Sequence, residues 1–190
     1  MRIAIIDNFD SFTWNLFHYL ETLADEVKVI RYDAAEITEL SLFDSIVISP
    51  GPGLPSDYPK LKELIAILGI THPILGICLG HQAIAEAFGA RLKNLKNVLH
   101  GVERHTIIND KTELLFEGLP ESILTGHYHS WVVEENSMPK CLKVTASDKE
   151  GTIMALTHTR YNIKGVQFHP ESIMTTHGKN ILKNWVDIYS

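Results

Sequence analysis

Pro73-Ile74-Leu75-Gly76-Ile77-Cys78-Leu79-Gly80-His81-Gln82 is the stretch on which the reading of this chain turns. The apolar run Pro73 to Ile77 predicts a short strand buried on both faces, and Gln82 to Phe88 predicts a helix that stops at Gly89. Between strand and helix stands Cys78, with Gly76 and Gly80 on either side. A tight strand-to-helix turn holds a side chain out of the sheet, and the N-terminus of the helix favours an anion there. Two readings of Cys78 are open at this point: a small buried hydrophobe, or an activated thiolate.

The same alternation of strand and helix runs outward from that segment. Ile3 to Asp7, Val27 to Arg31 and Ser45 to Ser49 are further apolar strands. Leu61, Leu64, Ile65 and Leu68 recur at helical spacing, with Gly69 at the position of a C′ residue. Phe12 to Thr22 predicts another helix, entered from Asp10-Ser11 as capping candidates. Strands alternating with helices build a parallel sheet covered on both faces. The second half is β-rich: His105 to Asn109, Ile123 to Val133, Leu142 to Ser147, Ile153 to Thr157 and Gly165 to His169 predict a mixed, antiparallel extension. An amphipathic helix closes the chain, with Ile181, Leu182, Trp185, Val186 and Tyr189 on one face. The fold class expected is therefore α/β: an open, mostly parallel central sheet with flanking helices and an antiparallel extension. At 190 residues the whole chain, 1–190, is expected to form one domain.

Composition removes several function classes. Lys and Arg number 17 against 23 Asp and Glu, so no basic excess exists to attract nucleic acid. No apolar run approaches the length of a membrane span or a signal segment, so neither membrane insertion nor export is expected. Two cysteines, Cys78 and Cys141, 63 positions apart, make neither a disulfide framework nor a zinc knuckle, and the expected compartment is a reducing cytoplasm.

Unusual residues follow directly after predicted strands: Asp7-Asn8-Phe9-Asp10-Ser11, Ser49-Pro50-Gly51-Pro52-Gly53, Cys78 to Gln82, and His169-Pro170-Glu171. In an open α/β sheet, ligands bind beyond the carboxyl ends of the strands, so these segments can converge on one crevice. An extended His169 before proline puts its ring and the Glu171 carboxylate on one face. Alone, they read as a surface pair; with Cys78 at another strand end, nucleophile, base and orienting carboxylate explain them better. The Gly51-Pro52-Gly53 loop is either a stiff connection or a means of bringing backbone N–H groups to a developing oxyanion. No GKS or GKT follows, which excludes a P-loop. Asp7 to Ser11 reads first as a helix cap. His127 and His129 alternate along a strand but lack a third ligand in a metal-binding pattern, so no metal and no cofactor are expected.

Four blocks together carry a family resemblance: Asp7 to Leu16 (DNFDSFTWNL), Ser49 to Gly53 (SPGPG), Gly76 to Gln82 (GICLGHQ) and Gly165 to Ser172 (GVQFHPES). In order and spacing they resemble the class I, triad-type glutamine amidotransferases, most closely the small subunits of anthranilate synthase and aminodeoxychorismate synthase. The resemblance spans nearly the whole chain. It implies a glutaminase in which Cys78 attacks the side-chain amide of L-glutamine, His169 transfers protons and Glu171 orients it. It further implies an oxyanion hole from the amides of Gly53 and Leu79, and a substrate pocket formed by Gly51, Pro52, Gly53, Leu79, Gln82, Ser130 and Trp131. With no chorismate-binding domain in the sequence, ammonia is expected to pass in trans to a chorismate-using synthase subunit, anthranilate synthase ahead of its folate-pathway relative. Rivals from the same residues are a stand-alone γ-glutamyl hydrolase and a non-catalytic regulatory subunit. Two segments depart from the family pattern. His127-Tyr128-His129-Ser130-Trp131 stands where Arg-Tyr-His-Ser-Leu is usual, and Val102-Glu103-Arg104 where a Lys and a hydroxyl residue are common.

Overall fold

A computed structural model describes residues 1–190. Nine strands form one sheet in the order β2-β1-β3-β4-β9-β8-β7-β5-β6. β1 (Arg2–Asp7), β2 (Glu26–Arg31), β3 (Ser45–Ile48), β4 (Ile74–Ile77) and β9 (Ile163–Val166) pair in parallel. From β9 onward the pairing is antiparallel through β8 (Ile153–His158), β7 (Leu142–Ser147), β5 (Leu92–Ile108) and β6 (Ser122–Val133). The expected class holds: a parallel first half continued by an antiparallel extension.

Because successive strand residues point to opposite faces, each apolar run feeds two cores. Ile3, Ile5, Val47, Leu75 and Ile77 pack on one side, against α1 (Thr13–Leu20) and α5 (Gly178–Tyr189), where Trp185 is fully buried. Ala4, Ile6, Ile46, Ile48 and Ile74 pack on the other, against α3 (Pro59–Leu68) and α4 (Leu79–Ala87). Continuous burial of β3 and β4 is why both read as unbroken apolar runs rather than alternating ones. The same arrangement places the carboxyl ends of β3, β4 and β9 side by side, which is what positions the site.

Several boundaries differ from expectation for identifiable reasons. β5 is 17 residues long, whereas the sequence suggests a strand only from His105. Its first two-thirds are mostly exposed and polar, with register shifts at Asn94/Leu99 and His100/Val102, so no period-2 pattern survives there. A four-residue helix, α2 (Ile37–Leu40), is too short to show a period. α4 begins at Leu79, immediately after Cys78, not at Gln82. α1 begins at Thr13 without a side-chain cap; instead the Asp10 carboxylate accepts the Phe12 N–H at 2.8 Å, and Asp7 accepts the Thr13 hydroxyl at 2.9 Å. Gly69 keeps a right-handed φ of −64°, so it is not a left-handed C′ residue. Its reason is packing, since a Cβ there would stand 2.5 Å from Ile163 Cδ1. β9 ends at Val166, and His169-Pro170-Glu171 forms a turn rather than the end of a strand.

Candidate active site

Cys78 occupies a backbone conformation that side-chain-bearing residues avoid, with φ 51° and ψ −98°. Such a conformation costs on the order of 1–3 kcal/mol and persists where the surroundings over-determine it. Here the Cys78 N–H donates to the Val166 carbonyl at 2.9 Å, and its own carbonyl accepts the Gln82 N–H at 3.1 Å, locking strand to helix. The two glycines make the turn sterically possible. A Cβ on Gly76 would lie 2.5 Å from the carbonyl of Gly80, and one on Gly80 would lie 2.5 Å from the carbonyl of Ile48. The sulfur thus stands at the N-terminus of α4, where unpaired N–H groups favour negative charge.

In the turn that follows β9, His169 Nδ1 lies 2.6 Å from Glu171 Oε1, both side chains being almost wholly buried. A turn, not an extended segment, brings them together: the His169 carbonyl accepts the Ser172 N–H at 3.2 Å and the Thr175 hydroxyl at 2.5 Å. Gly126 ties this turn to β6, its carbonyl accepting the His169 N–H at 3.0 Å while its N–H donates to Thr175 Oγ1 at 3.0 Å. The proton affinity of His169 reflects a contest. Burial disfavours the charged ring, but the Glu171 carboxylate and the Cys78 sulfur outweigh it, and its pKa stands well above the ordinary histidine value. Nε2, the nitrogen not bound to Glu171, has no well-aligned protein partner. A base with one nitrogen fixed by a carboxylate and the other unencumbered beside a thiol is equipped to move a proton.

Phe12 and Tyr128 clamp the ring edgewise, with centroids 5.4 Å and 4.9 Å from that of His169. The Asp7–Leu16 block therefore serves the site through Phe12, although Asp7 and Asp10 themselves only shape the turn into α1. Asn8, fully buried, braces the glycine loop: its N–H donates to Ser49 Oγ at 2.9 Å, its Nδ2 donates to the Ser49 carbonyl at 2.9 Å, and Tyr58 donates to its carbonyl at 3.2 Å. Gly53 takes φ +76°, a region where glycine meets no steric penalty.

A cavity of about 230 Å³ opens over the sulfur, and its wall contains Cys78 together with Gly51, Pro52, Gly53, Leu79, Gln82, Ser130 and Trp131. Every residue named from sequence as a substrate contact is thus on one surface with the candidate nucleophile. His169 and Glu171 are not in that wall; His169 interacts with the Cys78 sulfur from outside it. A larger hollow of about 480 Å³, lined by Asp110, Lys111 and Glu113 among others, contains neither cysteine nor histidine. Gln82 Nε2 donates to the Trp131 carbonyl at 2.8 Å, so the backbone, not the indole, makes the contact where this chain departs from the usual leucine. His127 and His129 engage each other, Nδ1 to Nε2 at 3.0 Å, and His127 Nε2 meets Thr125 Oγ1 at 2.9 Å. Burial first, then repulsion by His129 for His127 and by His169 for His129, lowers their pKa values to about 3 and about 4, which keeps both rings neutral at pH 7. Cys141 is half-buried against the α3/α4 core, far from this chemistry in role. Phe12, Gln167 and Tyr128 lie inside quoted segments but their roles are not legible there, and Thr175 carries no distinct signal; the parts of all four are set by tertiary contact.

Comparison with known proteins agrees with this geometry. The family described as glutamine amidotransferase class-I matches residues 4–188. The chain is 43% identical to the aminodeoxychorismate/anthranilate synthase component 2 of Bacillus subtilis, over 98% of this chain and 96% of that protein. It is 41% identical to the aminodeoxychorismate synthase component 2 of Escherichia coli (97% and 98% covered) and 41% identical to an anthranilate synthase component 2 of Mycobacterium tuberculosis (98% and 82%). Among solved structures, a Thermoplasma acidophilum protein described as a GMP synthase subunit superposes with a TM-score of 0.88 at 28% identity, covering 99% of this chain and 93% of that one. The chain belongs to the class I glutamine amidotransferase family and is an enzyme of that class. Its most similar relatives named here are the second components of the synthases that make anthranilate and aminodeoxychorismate.

Proposed function

We propose that this chain is the glutamine-hydrolysing component of a chorismate-using synthase, with anthranilate synthase as its partner enzyme. The observation that carries the reading is the strained Cys78 at the mouth of α4, with the His169–Glu171 pair interacting with it and a pocket of about 230 Å³ open before it. In this mechanism the Cys78 thiolate adds to the side-chain amide carbon of glutamine. The N–H groups of Gly53 and Leu79 receive the oxyanion; the Gly53 N–H has no protein acceptor, and that of Leu79, first in α4, has no carbonyl a turn behind it within the helix. His169, as imidazolium, protonates the departing ammonia. As neutral imidazole it then takes a proton from the water that hydrolyses the γ-glutamyl thioester, regenerating Cys78 and releasing glutamate. Glu171 keeps the ring in register and stabilises its charge throughout. Ammonia is consumed by the synthase component in trans.

Cys78→Ala tests the assignment. Glutamine-dependent synthesis should vanish in the reconstituted complex while synthesis from ammonium salts persists. A variant that hydrolyses glutamine at the wild-type rate ends the assignment. Identification of the product formed from chorismate distinguishes anthranilate from aminodeoxychorismate, and turnover of γ-glutamyl peptides without any synthase would favour a stand-alone hydrolase.

A further inference from the structure

Gln167 lies one residue beyond β9, is fully buried, and has no place in the mechanism just described. Its amide is the last member of a directed chain. A carbonyl can only accept, so the group that Gln82 presents to Trp131 O at 2.8 Å is its NH₂. The same nitrogen reaches Gln167 Oε1 at 3.3 Å, which fixes the Gln167 amide with its oxygen toward Gln82. Gln167 Nε2 is thereby turned to Cys78 Sγ, 3.7 Å away. The orientation of the donor on sulfur thus follows from a backbone carbonyl on β6, two residues removed.

Resting on the glutaminase reading above, we infer that Gln167 is a positioning residue that donates a hydrogen bond to the Cys78 thiolate. The bond aims the sulfur at the pocket and holds its charge while His169 carries the proton. It acts where sulfur is anionic, before attack and again when the thioester breaks down, and it relaxes when sulfur is acylated and loses its charge. Hydrogen bonds to ionised groups are roughly twice as strong as neutral ones, so the contact favours the thiolate over the acyl-enzyme. Gln82, which lines the pocket, shares the chain; its setting is therefore transmitted to the nucleophile through one side chain.

The full-length chain with Gln167→Met, which keeps length but removes the donor, tests this. Gln167→Asn, which keeps an amide but withdraws it by one methylene, is the second variant. Iodoacetamide modification at pH 7, located by mass spectrometry, reads the sulfur directly, with Cys141 as the internal control. Cys78 should react about tenfold more slowly in Gln167→Met, with an intermediate loss in Gln167→Asn and no change at Cys141. In the reconstituted synthase, kcat for glutamine hydrolysis should fall about tenfold with KM within twofold of wild type. Wild-type alkylation of Cys78 in the folded variants overturns the inference, as does a rise in KM at unchanged kcat, which would make Gln167 a substrate contact. If Gln167→Met does not fold by circular dichroism, Gln167→Asn decides by the same criteria. A wild-type chain whose Cys78 alkylates readily but which hydrolyses no glutamine alongside the synthase refutes the glutaminase reading and leaves the sulfur contact standing.

Discussion

Gly80→Ala places two physical effects in opposition, and the structure says which prevails. On helix propensity alone, alanine in the first turn of α4 stabilises by up to about 1 kcal/mol. Against this, the new Cβ would lie 2.5 Å from the Ile48 carbonyl oxygen and 2.9 Å from Ile48 Cβ. Ordinary contact begins at 3.4 Å, so the start of α4 must retreat by about 0.9 Å from β3. Ile48 cannot give way instead, because β3 is held between β1 and β4. Overpacking of this kind costs roughly 1–3 kcal/mol, and a further term comes from disturbing the Cys78 turn, so a net loss of about 2 kcal/mol is expected. For a chain of this size that lowers Tm by roughly 4–8 °C. The functional loss is larger than the stability loss, because the same retreat displaces the Cys78 sulfur and the Leu79 N–H. A misplacement of about 1 Å in a reacting group costs on the order of 10²-fold in rate. Differential scanning calorimetry and glutamine hydrolysis by the reconstituted enzyme measure the two effects. A variant with unchanged or higher Tm and kcat within threefold of wild type would show that the close approach of α4 to β3 does not set the nucleophile.

Two further outcomes follow from buried groups. Burial lowers the pKa of His81 to about 3, below the ordinary 6.5, and neither ring nitrogen has an aligned partner. The unfolded chain therefore binds the extra proton first, and the stability contributed by the neutral ring is complete above pH 6.5 and lost as pH falls toward 3. Between pH 6.5 and 5 this amounts to about 1.5 kcal/mol, which His81→Gln should remove in urea melts at the two pH values; parallel losses in variant and wild type refute it. His169 acts in the opposite sense, its raised pKa giving stability that is complete below 6.5 and lost as pH rises through its folded value. Glu171→Gln should lower kcat by about 10³-fold or more, since an amide neither stabilises the imidazolium nor fixes its tautomer. Retention of a tenth of wild-type activity would remove Glu171 from its assigned role.

Much of the site was legible because its chemistry is concentrated at strand ends. Cys78, His169 and Glu171 were each ambiguous singly, and became one site because strands buried on both faces announce themselves as apolar runs and their ends can be counted. The glycines around Cys78 could be suspected of shaping a turn, and the close approaches of Gly76 to Gly80 and of Gly80 to Ile48 supply the reason. Phe12 and Tyr128 were not legible as flanks of His169, since an aromatic beside a helix start looks the same whether it meets a core or a catalytic ring. Gln167 was hidden in the GVQFHPES block for a similar reason: its partners, Gln82 and Cys78, are 85 and 89 positions away. The early part of β5 escaped because Lys93, Asn94, Lys96 and Asn97 bury no face, and only the pairing with β6 makes it a strand.

That ribbon gives the pocket an uneven construction. The nucleophile directly follows β4, which has parallel strands on both sides, whereas Ser130 and Trp131 belong to β6, an edge strand whose main neighbour is the exposed, bulged part of β5. Local opening in proteins begins where buried contacts are few. Amide exchange should accordingly be faster along residues 92–104 than along 74–87. The molecule would then admit and discharge small solutes by loosening one wall, while the groups that break the amide bond stay anchored in the rigid middle of the sheet.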